Sequence, residues 1–582
     1  MNQFRYVASV LLLAGTFLPT AHAEEAWIAE SNANTRVVME SQARFRPEGF
    51  ANEGLEQFDS EIRDLNPGIY ERVRTANLEL VALMKKKLET AEDPRVAQDL
   101  NILIKSLEDS LQSAALDRQY MLPYYNVAQS LFYGNRGLLD PRVDAERYPA
   151  ALVRLNKYTG EEPGYTPITE LAKQRTLERV PETALIGPYV GELQKDIDNT
   201  QRFKAGLRQA FVESGLEGWE DSLAILETQL DDYAEWLREE MLPRARDSHR
   251  LPDPISADNL KRYGVDADPR ELLEQALFGF GEIRNEMQVL ARLIAAERNL
   301  PSEDYRDVIR ELKKDQIPAD EILDVYRERL AMLEEIIRRE GIVTLPEREA
   351  VIRLGTDAES AAVPAPFLSP PQLIGNTGQS AEFVLVTRNP TLEEGEAIDD
   401  FGHDSATWSL TVHEARPGHE LQFASMLETG VSTARVFYAF NSANVEGWGL
   451  YAEAIMKEHL PLEGQLLSLQ ALLARAARAF LDPMLNLGMI EPDRALDFLM
   501  TEVALSKALA SSEIDRYTFR APGQATSYYY GYMKMVGLRT EVELLLGEKF
   551  DQKAFHDFVL AQGLLPPDLL RKAVLDDFVP TQ

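Results

Sequence analysis

Residues 412–423 read VHEARPGHELQF. Three of these side chains, His413, Glu414 and His419, are of the types that bind zinc and activate water when cysteine is absent. The stretch opens like the zinc motif H-E-x-x-H, in which two histidines four apart share one face of a helix. Here the histidines are six apart. At roughly 100° per residue, an unbroken helix would turn the second about 240° away from the first. Pro417 cannot donate a helical hydrogen bond and disfavours the α conformation at Arg416. Gly418 tolerates almost any backbone angle. The spacing therefore predicts a helix that carries His413 and Glu414, unwinds over 416–418 and resumes at His419, a bulge able to bring His419 back beside His413. Taken alone, the stretch fits a metal site and a Pro-Gly break between surface histidines equally well.

The segment NSANVEGWGLYAEAIM, residues 441–456, shifts that balance. Glu446 and Glu453 are seven apart and share a face if the segment is helical. Gly447 and Gly449 leave room for another backbone to approach. A catalytic zinc takes three protein ligands and keeps one position open for water. Glu446 is the candidate third ligand, and Glu453 is a candidate for orienting a ligating histidine. The alternative is a pair of exposed glutamates. Their neighbours Trp448, Leu450, Tyr451 and Ala452 argue for burial instead.

A third segment, PGQATSYYYG at 522–531, completes a pattern with HEARPGHELQ at 413–422 and EGWGLYAE at 446–453. In this order the three motifs resemble the bacterial domain of unknown function 885 family. Weaker likeness extends over most of the chain. That family is similar to helical zinc metallopeptidases of the two-histidine, one-glutamate type, such as thimet oligopeptidase and carboxypeptidase Taq. The resemblance implies His413, His419 and Glu446 as ligands of one zinc ion and Glu414 as general base and proton donor. Tyr528 matches the tyrosine before x-x-G and is implied as the hydrogen-bond donor to the oxyanion that forms when water attacks an amide. The family often has a histidine directly after the motif's last one, where this chain has Glu420, which adds negative charge near the site.

Two further groups are candidates for substrate binding. Arg516 and Arg520, in DRYTFRAPG, are of the type that grips a peptide carboxylate with two hydrogen bonds. Val384 and Val386, in FVLVT, belong to a candidate edge strand along the cleft, where an extended peptide would pair.

These residues need a scaffold, and the rest of the chain predicts a mainly helical one. Val96, Leu100, Leu103, Ile104, Leu107 and Leu111 recur three or four apart, as an amphipathic helix requires. Similar stripes run through 221–242, 269–297 and 319–341. Composition turns rich in Pro, Gly and Ser near 361, and a short strand region is expected near 383–389. Helices then return, with breaks at Pro417-Gly418, Pro483 and Pro522-Gly523. The expected organisation is a leader at 1–23, a helical N-terminal lobe at 24–360 and a catalytic region at 361–582, giving a two-lobed, metallopeptidase-like fold with a cleft.

The first residues carry one cation, Arg5, then the apolar run VASVLLLAGTFL, then small residues at Ala21 and Ala23. This is the pattern of a secretory signal peptide, cleaved after Ala23. The expected location is the periplasm or the exterior. No later apolar run is long enough to span a bilayer. The 582 residues include no cysteine, so no disulfide supports the fold, and at this length core burial suffices. The net charge of −34 repels nucleic acid and anionic membrane, so neither nucleic-acid binding nor membrane insertion is expected. The expected function is secreted zinc-dependent hydrolysis of oligopeptides. The alternative is a catalytically inactive peptide- or metal-binding protein of the same fold.

Overall fold

The apolar stripes become helices where the sequence also supplies their ends. Asp93 caps the helix Pro94–Tyr120, accepting a hydrogen bond from the Arg95 amide at 2.8 Å, with Pro94 in the first helical position. Its buried face is Val96, Leu100, Leu103, Ile104 and Leu107, with Leu111 partly covered. Asp268 caps the longest helix in the same way, and Asn299 closes it in the left-handed conformation at φ 53°. Gly341 closes Ile322–Glu340 at φ 59°. The computed structural model describes residues 25–363, 365–376, 378–387 and 398–582. The leader and its cleavage point lie outside them. Helix makes up 69% of the structure and strand 3%, so the protein is a large helical fold with one small sheet.

That sheet has three strands in the order β1-β3-β2: β1 (Val351–Leu354), β2 (Phe367–Ser369) and β3 (Glu382–Leu385). β3 pairs in parallel with β1, Val351 opposite Glu382, and antiparallel with β2, Phe367 opposite Val384. This corrects the edge-strand expectation. β3 is the central strand and both its edges are already bonded. Val384 and Val386 are 0% and 3% exposed, so neither is available to a peptide. The physical reason is visible in FVLV itself: an unbroken apolar run suits a strand covered on both faces. Residues 388–389 of the expected strand region lie outside the described residues.

Six helices build the site, here α1 (Pro269–Arg298), α2 (Asp404–Glu414), α3 (His419–Thr429), α4 (Ser442–Met456), α5 (Leu462–Asn486) and α6 (Gln524–Leu546). α1 lies along α5, α4 lies along α6, and α2 touches both α4 and α5. The apolar core between α1 and α5 includes Phe280, Met287, Ala291, Leu473, Ala477 and Phe480, which ties together segments on both sides of residue 360. α4 and α6 cross backbone to backbone. A Cβ on Gly447 would lie 2.6 Å from the Gly531 carbonyl carbon, and one on Gly531 would lie 1.9 Å from the Ala443 oxygen. The break expected at Pro483 does not occur there. α5 runs through Pro483 to Asn486, because the proline falls in the last turn and is buried in the core.

Candidate metal centre

The Pro-Gly pair does break the helix between the two histidines. α2 ends at Glu414, Ala415 leaves the helical region at φ −103°, ψ −102°, and Gly418 sits at φ −78°, ψ −133° before α3 begins at His419. Only glycine fits at 418, since a Cβ there would lie 1.9 Å from the His413 carbonyl oxygen. The Trp448 indole of α4 donates to the Pro417 carbonyl at 2.9 Å and holds the break in place. Buried Arg416 holds it from the other side, donating from Nε to Glu420 at 2.6 Å and from Nη1 to Glu334 at 2.5 Å. Glu420, 0% exposed, is thus the counter-ion of Arg416. The outcome is two imidazoles with ring centres 4.6 Å apart at 75°. Gly449 of α4 lies against both rings, and a Cβ there would be 2.7 Å from His413 Cε1 and 3.0 Å from His419 Cε1.

Glu446 faces these rings. Its Oε2 lies 3.4 Å from His419 Nε2 and 3.6 Å from His413 Nε2. Those distances are too long for good hydrogen bonds, and this buried Oε2 has no hydrogen-bond partner. They are close to the roughly 3.3 Å between ligand atoms that tetrahedral geometry gives around a zinc about 2.0–2.1 Å from each. The three side chains offer ligand atoms within 4.8 Å of one another. Two imidazoles and a carboxylate, with an orphaned buried oxygen between them, fit a zinc ion.

The surroundings are charged and buried. Glu453 Oε1 lies 2.7 Å from His413 Nδ1, while its Oε2 accepts from the Ser409 hydroxyl at 2.6 Å. Burial alone would discharge His413, but Glu446 and Glu453 overcome it and raise its pKa to about 9. Burial works the other way on Glu446, and the two imidazoles hold its carboxyl well below the usual range. Glu414 closes α2, 8% exposed. Burial pushes its carboxyl up, against the pull of His413 and His419.

Tyr528, on α6 and 5% exposed, accepts a hydrogen bond from Arg516 Nη2 at 3.3 Å. Burial pushes its phenol up to about 12, with Arg516 opposing and Glu446 reinforcing. The Arg478 guanidinium lies 4.6 Å from the Tyr528 ring centre and is fixed by two 2.7 Å bonds to Glu513. The structure therefore brings together His413, His419, Glu446, Glu414, Glu453, Tyr528 and Arg516. Arg520 is not part of this group. It is exposed, 3.7 Å from Asp515. Sequence reasoning missed Arg475 and Arg478, the first of which lies 4.0 Å from Glu453. The signal was present: two arginines three apart in the otherwise apolar LLARAARAF must find buried counter-ions.

Fold and site together define a class: a large helical protein with a two-histidine, one-glutamate cluster and a carboxylate beside it. The chain belongs to the family described as bacterial protein of unknown function (DUF885), which matches residues 47–574. It is similar in fold to a candidate lipoprotein of unknown function from Shewanella oneidensis, at TM-score 0.71 and 20% identity, over 95% of this chain and 100% of that one. It is also similar to a candidate lipoprotein from Colwellia psychrerythraea, at TM-score 0.78 and 17% identity, over 96% and 100%. None of the curated proteins matches.

Proposed function

We propose that the chain is an exported zinc metallopeptidase that hydrolyses oligopeptides. The observation that carries this reading is the convergence of His413 Nε2, His419 Nε2 and the unpartnered Glu446 Oε2, with Glu414 adjoining one ligand in sequence. Zinc held by these three would supply Lewis acidity and lower the pKa of water toward about 7. The remaining steps belong to the chain. Glu414, its carboxyl raised by burial, takes a proton from the attacking water as the oxygen bonds to the scissile carbonyl carbon. The Tyr528 phenol, protonated at neutral pH and held by Arg516, donates to the oxygen on which charge develops. As the C–N bond breaks, Glu414 passes the proton to the leaving amine. Glu453 and Ser409 keep His413 turned toward Glu446.

Export is supported by the leader pattern at 1–23 and by the description of the two similar structures as candidate lipoproteins. No helix among the described residues is long and apolar enough to cross a membrane. The test is metal analysis of the purified chain together with digestion of a peptide library before and after chelation. The reading expects near one equivalent of zinc and cleavage that chelation abolishes and zinc restores. Zinc without chelator-sensitive cleavage would leave only a metal-binding protein.

A further inference from the structure

A cavity of about 2660 Å³ opens beside the site helices, walled mainly by the N-terminal helices. Its volume is more than twice the roughly 300–1,000 Å³ of a small-molecule pocket. It is large enough for an extended chain. Among its lining residues are Asn441, the cap of α4, and Tyr530 of α6, so the cavity reaches the two helices that carry Glu446 and Tyr528.

Among the nine arginines in its wall are Arg46 and Arg63, from near the start of the described chain, and Arg262, some two hundred residues later. Most cations of this acidic chain are paired. Arg147, Arg175 and Arg435, for instance, hold Asp59, Glu178 and Asp99. Among the described residues, the guanidiniums of Arg46, Arg63 and Arg262 form neither ion pair nor hydrogen bond. Arg63 stands 5.9 Å from the Tyr125 ring centre. Asp117 is within electrostatic reach of Arg262 without pairing to it. Burial, then Arg63 and Arg262, hold the Arg46 pKa below its ordinary value, so Arg46 feels both of the other charges. Burial raises the Tyr263 phenol, and Arg262 and the Arg516 that binds Tyr528 are among the charges that act on it.

Three cations left unpaired in the wall of one cavity, in a chain of net charge −34, are suited to an anion from outside. We infer that Arg46, Arg63 and Arg262 form a carboxylate-binding subsite in this cavity, which selects oligopeptides by a carboxylate, either the C-terminal one or that of an acidic side chain. The inference rests on the peptidase reading for the word peptide, but it is tested by binding and so separately from cleavage.

The probes are matched synthetic peptides in four forms, with Glu or Gln side chains and with a free or amidated C-terminus. Their affinities are measured by calorimetry on zinc-loaded Glu414→Gln protein, and their kcat/KM on the wild type. The expected result is a preference of about tenfold or more for the carboxylate-bearing peptides. It should vanish in the triple variant Arg46→Gln/Arg63→Gln/Arg262→Gln and persist in part in the triple Lys variant. Loss of the preference on amidation assigns the C-terminal carboxylate, and loss on Glu→Gln assigns the side chain. An equal affinity for all four forms overturns the inference, as does a preference that survives the triple Gln variant in folded, zinc-loaded protein. Neither outcome touches the peptidase reading, which the cleavage arm decides. Arginine-dependent carboxylate binding without any cleavage keeps the subsite and removes the peptidase. Inorganic phosphate binding more tightly than every carboxylate peptide, by the same arginines, overturns the assignment to carboxylate.

Discussion

At the scale of single residues, the chemistry of the site turns on where protons sit. Before any metal binds, His413 keeps its proton up to about pH 9, because Glu446 and Glu453 outweigh its burial. A ligating imidazole must be neutral, so zinc has to displace that proton. The sign follows: zinc affinity rises with pH below about 9, roughly tenfold per unit for one proton, and flattens above. Competition titrations with a chromophoric chelator across that range check this, and a flat profile between neutrality and pH 9 would mean that His413 is already neutral. Tyr528 is on the opposite side of its own titration, a phenol raised to about 12 that remains a donor at working pH. Tyr528→Phe is expected to lower kcat by about a hundredfold with zinc content unchanged. An unaltered kcat would make the tyrosine a packing residue. Much of this was legible, since His413, Glu414, His419 and Glu446 stand out by type and spacing. Glu420 was not interpretable, although Arg416 lies four residues before it, because that arginine's other partner, Glu334, is distant in the sequence.

At the scale of elements, glycines set how closely the helices approach. Gly449 is inside α4, where alanine would ordinarily favour the helix by about 1 kcal/mol. Here its Cβ would press on both imidazoles at 2.7 and 3.0 Å. Gly449→Ala is therefore expected to weaken zinc binding at least about tenfold without raising Tm. Gly281 is the control: it is inside α1, and a Cβ there meets nothing within 4 Å. Gly281→Ala is expected to stabilise by about 0.5–1 kcal/mol in thermal or denaturant unfolding. If both variants behave alike, close packing at Gly449 is not what shapes the site. Helices were readable from local spacing and caps. The sheet was not, because strand order is a pairing of segments far apart: β3 looked like a cleft edge until β1, some thirty residues earlier, took one side and β2 the other. Pro483 likewise read as a break, yet burial carries α5 through it.

At the scale of the molecule, a −34 chain has a buried knot of charge: two imidazoles, several carboxylates and the arginines behind Tyr528. Composition foretold the acidic surface. The arginines of the knot stood out in LLARAARAF, but their partners were hidden, because Arg478 and Glu513 meet only when α5 and the segment before α6 pack together. The cavity was equally hidden, its wall assembled from residues between 25 and 577. Such buried charge costs stability unless pairing and hydrogen bonds offset it, and the proposed role of this knot is hydrolysis with Glu414 as base. The most direct test compares peptide hydrolysis by wild type and Glu414→Gln at matched zinc content. Gln keeps the size and the hydrogen bond to water but cannot take the proton. The account predicts near one zinc in both proteins and a fall in kcat of about a hundred- to ten-thousandfold in the variant. A wild type that cleaves peptides and a zinc-loaded Glu414→Gln protein that cleaves them equally well would contradict it.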